Sequence, residues 1–322
     1  MNMANVFPPF KIDIAGAFCV PRALKDVREQ YQNGQVSRQI LQAVEDAEVR
    51  SLVERLELGG MKVVSDGGFR SRDFLESWEG ICSKDGRPFS EGSPLEKGRL
   101  SLLRHPILEE FAFLDSIVDG GVMKKQHIPS PAEVMTQIIQ RVERTQIETV
   151  YSDIRLLTDD IASCYKFLLT KLYDAGCRYV QFDGVHSVIM EDTIRLNNRV
   201  LRERPAGMYV AFHAPTDMLV QLHGADAYFL NYDCGACDRN RLLWFIHEKE
   251  AVFGFVLSHY PQEDELDELQ AKTESVLNYI PLKRFTLCLP DANALLSPSE
   301  ADEEKQWETV RLGMEMAARI FS

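Results

Sequence analysis

The chain has 322 residues, 45% hydrophobic and 26% charged, a balance that supports a folded core and excludes disorder as its main state. Its 36 Lys and Arg are outweighed by 49 Asp and Glu, and the resulting charge of −13 opposes a broad electrostatic grip on nucleic acid or anionic membranes. No apolar run approaches the roughly 20 residues of a bilayer-spanning helix, and the start MNMANVFPPFKIDIAG lacks a basic region followed by an apolar stretch, so a cytoplasmic protein is expected.

The residues before Ile12 are expected to form an arm or to cover one end of the fold. A first strand is expected within KIDIAGAF (11–18), ending in Gly16 and Ala17. An amphipathic helix follows, opening at Ser37, carrying Ile40, Leu41, Val44, Leu52, Val53 and Leu56, and closing at Gly59 and Gly60. The second strand, MKVVSDGG (61–68), ends in Asp66. Residues 71–103 mix Gly, Pro, Ser and charge without clean periodicity, the pattern of an active-site loop. The third strand, VMKKQHIP (122–129), ends in His127. A second amphipathic helix, with Ile161, Tyr165, Leu168, Leu169 and Leu172, stops at Gly176 before the fourth strand.

That strand, RYVQFDG (178–184), ends in Asp183, with His186 just beyond. The fifth, MYVAFHAP (208–215), ends in His213, and the sixth, AYFLNYD (227–233), in Asn231 and Asp233. The seventh, AVFGFVLSH (251–259), ends in His259, and the eighth, RFTLCLPD (284–291), in Asp291. Shorter helical patterns follow the fifth to seventh strands, and 304–321 is amphipathic again. Eight such units, with strands too apolar for a one-sided sheet, predict a (β/α)8 barrel occupying 1–322 as a single domain.

A barrel of this type carries its chemistry at the C-terminal ends of its strands. Imidazoles and carboxylates there suit proton transfer near neutral pH, metal ligation, or both; a single strand-end His can equally be a satisfied structural group. The turn DCGACD sets Cys234 and Cys237 at a spacing that admits two thiolates on one tetrahedral ion, a redox pair, or simply a tight Gly-containing loop. The seven cysteines, an odd number scattered through a long chain, fit reduced thiols rather than a disulfide framework.

The run IAGAFCVPRALKDVREQYQNGQVSRQILQAVEDAEVRSLVERLELGGMKVVSDGGFR resembles the opening of the short, catalytic-domain-only relatives of cobalamin-independent methionine synthase. IPSPAEVM, LYDAGCRYVQFDG, AYFLNYD, GFVLSHYPQEDELDELQAKTESVLNYIPLKRF and QWETVRLGMEMAARIF resemble successive later blocks, in order over nearly the whole chain. The resemblance implies a methionine-synthase/uroporphyrinogen-decarboxylase-like barrel that moves a methyl group from methyltetrahydrofolate to a zinc-bound homocysteine thiolate. The four zinc ligands it implies fall at His213, Pro215, Asn231 and Ala292, so three of them are replaced. The motif whose Glu helps to hold the substrate amine reads Asp66-Gly67-Gly68-Phe69, the segment near the substrate carboxylate reads Gly16-Ala17-Phe18-Cys19, and the amine-binding Asp corresponds to Asp183. A Lys common in short relatives at the end of the seventh strand corresponds to His259.

The expectation is therefore a divergent methionine-synthase-like enzyme that transfers a methyl or alkyl group to a thiol or related nucleophile without the usual zinc. His213, His259, Asp183 and Asp291 are its candidate catalytic residues, and Gly16, Ala17, Asp66, Asp183 and Asn231 its candidate substrate contacts. Any zinc would be re-sited on His213, Cys234 and Cys237, and methyltetrahydrofolate is not expected to serve as the donor. Two alternatives stand beside it. One is a lyase, hydrolase or isomerase, metal-free or with iron on His213, His259 and Asp291 or Asp233; the other is a non-catalytic small-molecule binder. The expected partner is a small-molecule substrate, with no nucleic acid or membrane, and a homodimer is the default assembly.

Overall fold

The computed structural model describes residues 7–70, 74–78, 98–184, 186–231, 249–257, 263–289 and 300–322, with backbone alone at 76, 77, 231 and 300–302. Its strands are β1 (Ile12–Ile14), β2 (Val63–Val64), β3 (Met123–Pro129), β4 (Tyr179–Asp183), β5 (Tyr209–His213), β6 (Ala227–Asn231), β7 (Val252–Val256) and β8 (Phe285–Leu289). Each lies inside one of the eight apolar bursts. They form one sheet in the order β1-β8-β7-β6-β5-β4-β3-β2, and the pairs β1–β8, β2–β3, β4–β5, β6–β7 and β7–β8 are parallel. With helices among the described residues after every strand but β6, this is the (β/α)8 barrel fold.

The helices among the described residues are α1 (Arg22–Gln32), α2 (Arg38–Leu58), α3 (Ile107–Ile117), α4 (Pro131–Arg141), α5 (Arg144–Val150), α6 (Ile154–Asp174), α7 (Glu191–Glu203), α8 (Thr216–Leu219), α9 (Leu266–Leu277) and α10 (Glu300–Ile320). The Ser37 hydroxyl caps α2 by accepting from the Ile40 amide, and Asp153 caps α6 by accepting from the Arg155 amide. One expectation for α2 is corrected: Ile40 is 49% exposed. The buried stripe begins at Glu45, which Arg28 and Arg70 approach to 3.6 and 4.0 Å, and continues through Val49, Leu52, Val53 and Leu56.

The chain clusters into two compact units, one of 1–71, 113–125 and 227–322, the other of 72–112 and 126–226. Inside the first, Asp13 and Lys125 form an ion pair of 2.8 Å with both side chains almost wholly buried. The Lys125 ammonium also donates to the Ile14 carbonyl at 2.6 Å and lies 4.7 Å above the Phe229 ring. Gly254 of β7 completes this packing, because a Cβ there would stand 2.7 Å from the Cys288 sulfur and collide with Phe229.

The second unit shows the strand alternation plainly. On one face of β4 and β5, Tyr179 meets Tyr209 edge to face at 5.0 Å; on the other, Phe182 meets Phe212 at 5.6 Å. Tyr165 of α6 covers Phe182, and Trp78, from the short segment after β2, covers Tyr165 in turn. The Tyr165 hydroxyl donates to the Pro129 carbonyl at 2.6 Å, which ties α6 to the end of β3.

Candidate active site

The face of β4 and β5 that carries Tyr179 and Tyr209 also carries Gln181 with Ala211 and, last, Asp183 with His213, each pair in register on the adjacent strands. Period-two alternation thus delivers an acid and an imidazole side by side where the two strands end. The His213 Nδ1 stands 3.9 Å from the Asp183 Oδ1, at ion-pair range, and His213 is buried. The Gln181 amide donates to that same oxygen at 2.6 Å. The other carboxylate oxygen, Oδ2, faces the Nδ1 of His127 at 3.3 Å. Asp183, with a third of its side chain exposed, is thereby flanked by two imidazoles and fixed by an amide.

The backbone around this cluster is tightly held. The Ser130 amide donates to the Asp183 carbonyl at 2.7 Å, and the Gly184 amide donates to the His213 carbonyl at 2.8 Å. Ser130 then caps α4, and Ser187 donates to the buried Glu133 carboxylate at 3.0 Å, pinning the loop that leaves β4. Gly184 is required there because a Cβ would sit 2.8 Å from the Ser130 hydroxyl oxygen. His186 lies exposed in that loop.

Among the proposed substrate contacts of the first unit, Asp66 does not project freely: its Oδ1 accepts from the Gly68 amide at 3.0 Å and closes a turn. Gly68 has φ +70°, and a Cβ on it would lie 2.9 Å from that of Ala17. Ala17 therefore serves as the packing surface for this turn, and Gly16 lies beside it in the loop after β1. Asn231 ends β6, opposite Val256 of β7. His259, Asp291, Asp233, Cys234, Cys237 and Ala292 lie outside the described residues.

The described cysteines, Cys19, Cys164, Cys177 and Cys288, are buried, and none is joined to another in a disulfide. Burial pushes the Cys164 thiol up to about 12, with Asp160 adding to the effect. The Cys288 thiol is also raised by burial, then by Asp13, against a smaller opposing effect of Lys125. Such thiols are poor nucleophiles at neutral pH.

No family model matches the sequence. Two uncharacterised proteins of Bacillus subtilis, YxjG and YxjH, are each 25% identical to it, over 98% and 97% of this chain and 95% of theirs. A Listeria monocytogenes protein provisionally described as a vitamin-B12-independent methionine synthase superposes with a TM-score of 0.76 at 25% identity, over 98% of both chains. A B12-independent methionine synthase from Shewanella aligns with a TM-score of 0.64 at 15% identity, over 97% of this chain and 98% of that one. A methyltransferase from Methanosarcina mazei gives 0.57 at 12%, over 98% and 96%. The last two show the shared fold alone. The chain resembles methionine-synthase-like barrels along its whole length.

That resemblance carries a zinc site, and the residues present do not fit it. Of its four positions only His213 offers a strong donor, and its Nδ1 faces Asp183. Pro215 has no donor in its side chain, and its carbonyl is taken up by the amides of Met218 and Leu219 as it opens α8. One imidazole, one amide and two side chains without donor atoms do not make a tetrahedral zinc site. Among the described residues no group of three or more His, Cys, Asp or Glu is placed to hold a metal ion.

His127 was legible in the sequence only as the residue at which the third strand ends, and was not among the proposed catalytic residues. Gln181 was not singled out at all. Its signal is the alternation itself, since a polar side chain two residues before a strand-end Asp shares that residue's face.

Proposed function

We propose that this protein is a methyl- or alkyl-transferase related to the B12-independent methionine synthases, in which an imidazole–carboxylate pair takes the place of zinc in removing the proton of a thiol or similar nucleophile. Supporting the proposal is the placement of Asp183 between two imidazoles, at the strand ends where the related barrels carry part of their zinc site. A free thiol is mostly protonated at pH 7, so something must deprotonate it. An imidazole does so by becoming imidazolium, and an adjacent carboxylate stabilises that charge.

The bond changes balance without a metal. The thiol proton passes to the imidazole, the sulfur pair forms the new C–S bond, and the donor leaves with the pair of the bond that breaks. A sulfonium donor suits such a site, because it departs as a neutral thioether and needs no proton. An N-methyl donor such as methyltetrahydrofolate must be protonated as it leaves, and the Glu expected to help hold the substrate amine is replaced by Gly68. The substrate is read as a small, amino-acid-like thiol whose ammonium pairs with Asp183.

The test measures methylation of L-homocysteine by mass spectrometry with S-methylmethionine or methyltetrahydrofolate as donor. The expected result is product from the sulfonium donor, lost by at least about 100-fold in Asp183→Asn, and turnover with methyltetrahydrofolate below about 1 per second. Absence of product with both donors, or an Asp183→Asn enzyme of undiminished rate, would overturn the proposal.

A further inference from the structure

The two imidazoles beside Asp183 are not equivalent. The His213 Nδ1 is 3.9 Å from a carboxylate oxygen that already accepts from Gln181 at 2.6 Å. The His127 Nδ1 is 3.3 Å from the other oxygen, within hydrogen-bond reach. An ionised carboxylate only accepts, so the proton of this bond resides on Nδ1 of His127. In the neutral ring the lone pair then lies on Nε2. That Nε2 is buried, and within the described residues no group is hydrogen-bonded to it.

Leaving a buried acceptor without a partner costs about 1–3 kcal/mol. Proteins keep few such groups, and a catalytic role is one of the recognised reasons for keeping one. The rest of the surroundings hold the ring in this state. Gln181 immobilises the far carboxylate oxygen, the Ser130 amide holds the Asp183 carbonyl, and the Gln126 side chain donates to the His127 carbonyl at 3.2 Å.

From this geometry we infer that His127 is the general base of the site: its Nε2 accepts the proton of the substrate's S–H, and Asp183 holds the ring in the required tautomer and stabilises the imidazolium. Gln181 is a positioning residue, acting through Asp183. His213 is a secondary neighbour of the carboxylate and not the proton acceptor. The nature of the nucleophile rests on the transferase reading above; the tautomer and the role of Nε2 do not.

The experiment is nitrogen-15 NMR of the full chain carrying labelled histidine, with the His127 resonances assigned from His127→Gln. The seven histidines make this tractable. The expected spectrum shows the uncharged form of His127 carrying its proton at Nδ1 and bare at Nε2, and loses that preference in Asp183→Asn. Addition of L-homocysteine is expected to move the Nε2 resonance. In the methylation assay, His127→Gln is expected to lower kcat by about 100-fold or more with KM changed less than threefold, while His213→Gln loses less than tenfold. Gln181→Leu is expected to weaken the tautomer preference in the same spectrum.

A His127 protonated at Nε2, or a folded His127→Gln variant with kcat within threefold of wild type, would overturn the assignment. A wild type that methylates no thiol, yet shows the Nδ1–H tautomer and an Nε2 shift with L-homocysteine, would defeat the transferase reading and leave the role of His127 standing.

Discussion

The ion pair of Asp13 and Lys125 offers a sharp test of how this core is built. At their 2.8 Å separation, and with an effective dielectric near 20, the attraction is about 6 kcal/mol before desolvation is charged against it. Truncating only Lys125, as Lys125→Met, takes the 2.8 Å ammonium away from the buried Asp13 carboxylate, a change that costs about 3–5 kcal/mol. Unfolding entropy near 2.1 cal/mol/K per residue gives roughly 0.7 kcal/mol/K for this length, so Tm should fall by about 4–7 °C. Asp13→Asn removes the carboxylate charge beside the buried ammonium instead and should cost a similar amount. The double variant removes both charges together, and its loss should not exceed that of either single variant by more than about 1 kcal/mol. Differential scanning calorimetry at pH 7 on the four proteins completes the cycle. A Lys125→Met variant within 1 °C of wild type, or a double variant whose losses simply add, would refute the reasoning.

Gly254→Ala pushes a methyl group toward the Cys288 sulfur and the Phe229 ring, and overpacking of this kind should cost about 1–3 kcal/mol, read as a Tm lowered by about 1–4 °C. Tyr151→Phe removes a hydroxyl that donates to Asp160 at 2.8 Å and accepts from the Leu100 amide at 2.7 Å, and should cost about 1–3 kcal/mol. Hydrogen exchange at the Leu100 amide should rise in that variant; unchanged protection there would contradict the bond. The Glu48 carboxyl is held above its ordinary value by burial and by the nearby charge of Glu303, so its ionisation weighs against folding at neutral pH and ceases to do so as pH falls through its folded value. Glu48→Gln should therefore raise Tm at pH 7 and leave it unchanged well below the ordinary carboxylate range.

The barrel was legible because each strand is an apolar burst and the long helices α2 and α6 carry their own punctuation. Ser37 and Gly59 bracket α2, and Gly176 stops the chain just before β4, as local chemistry requires. Asp183 and His213 were legible for the same reason, since a strand-end residue announces itself by position. The pairing of His127 with Asp183 was not, because it depends on how β3 meets β4, and no local pattern encodes the 3.3 Å between them. Ile40 misled in the opposite sense: helical periodicity gives the face a residue belongs to but not how far along the helix that face is covered.

Gly68 bears on how such a site can be altered. With φ at +70° and the Ala17 methyl only 2.9 Å from where its own Cβ would stand, the turn leaves no room for a larger side chain at this position. A single substitution would have to rebuild backbone and neighbour together, and variants that changed only one would be strained. Introducing a carboxylate here by exchanging side chains one at a time would fail at this step, and grafting the whole segment together with the loop after β1 is the shortest route around it.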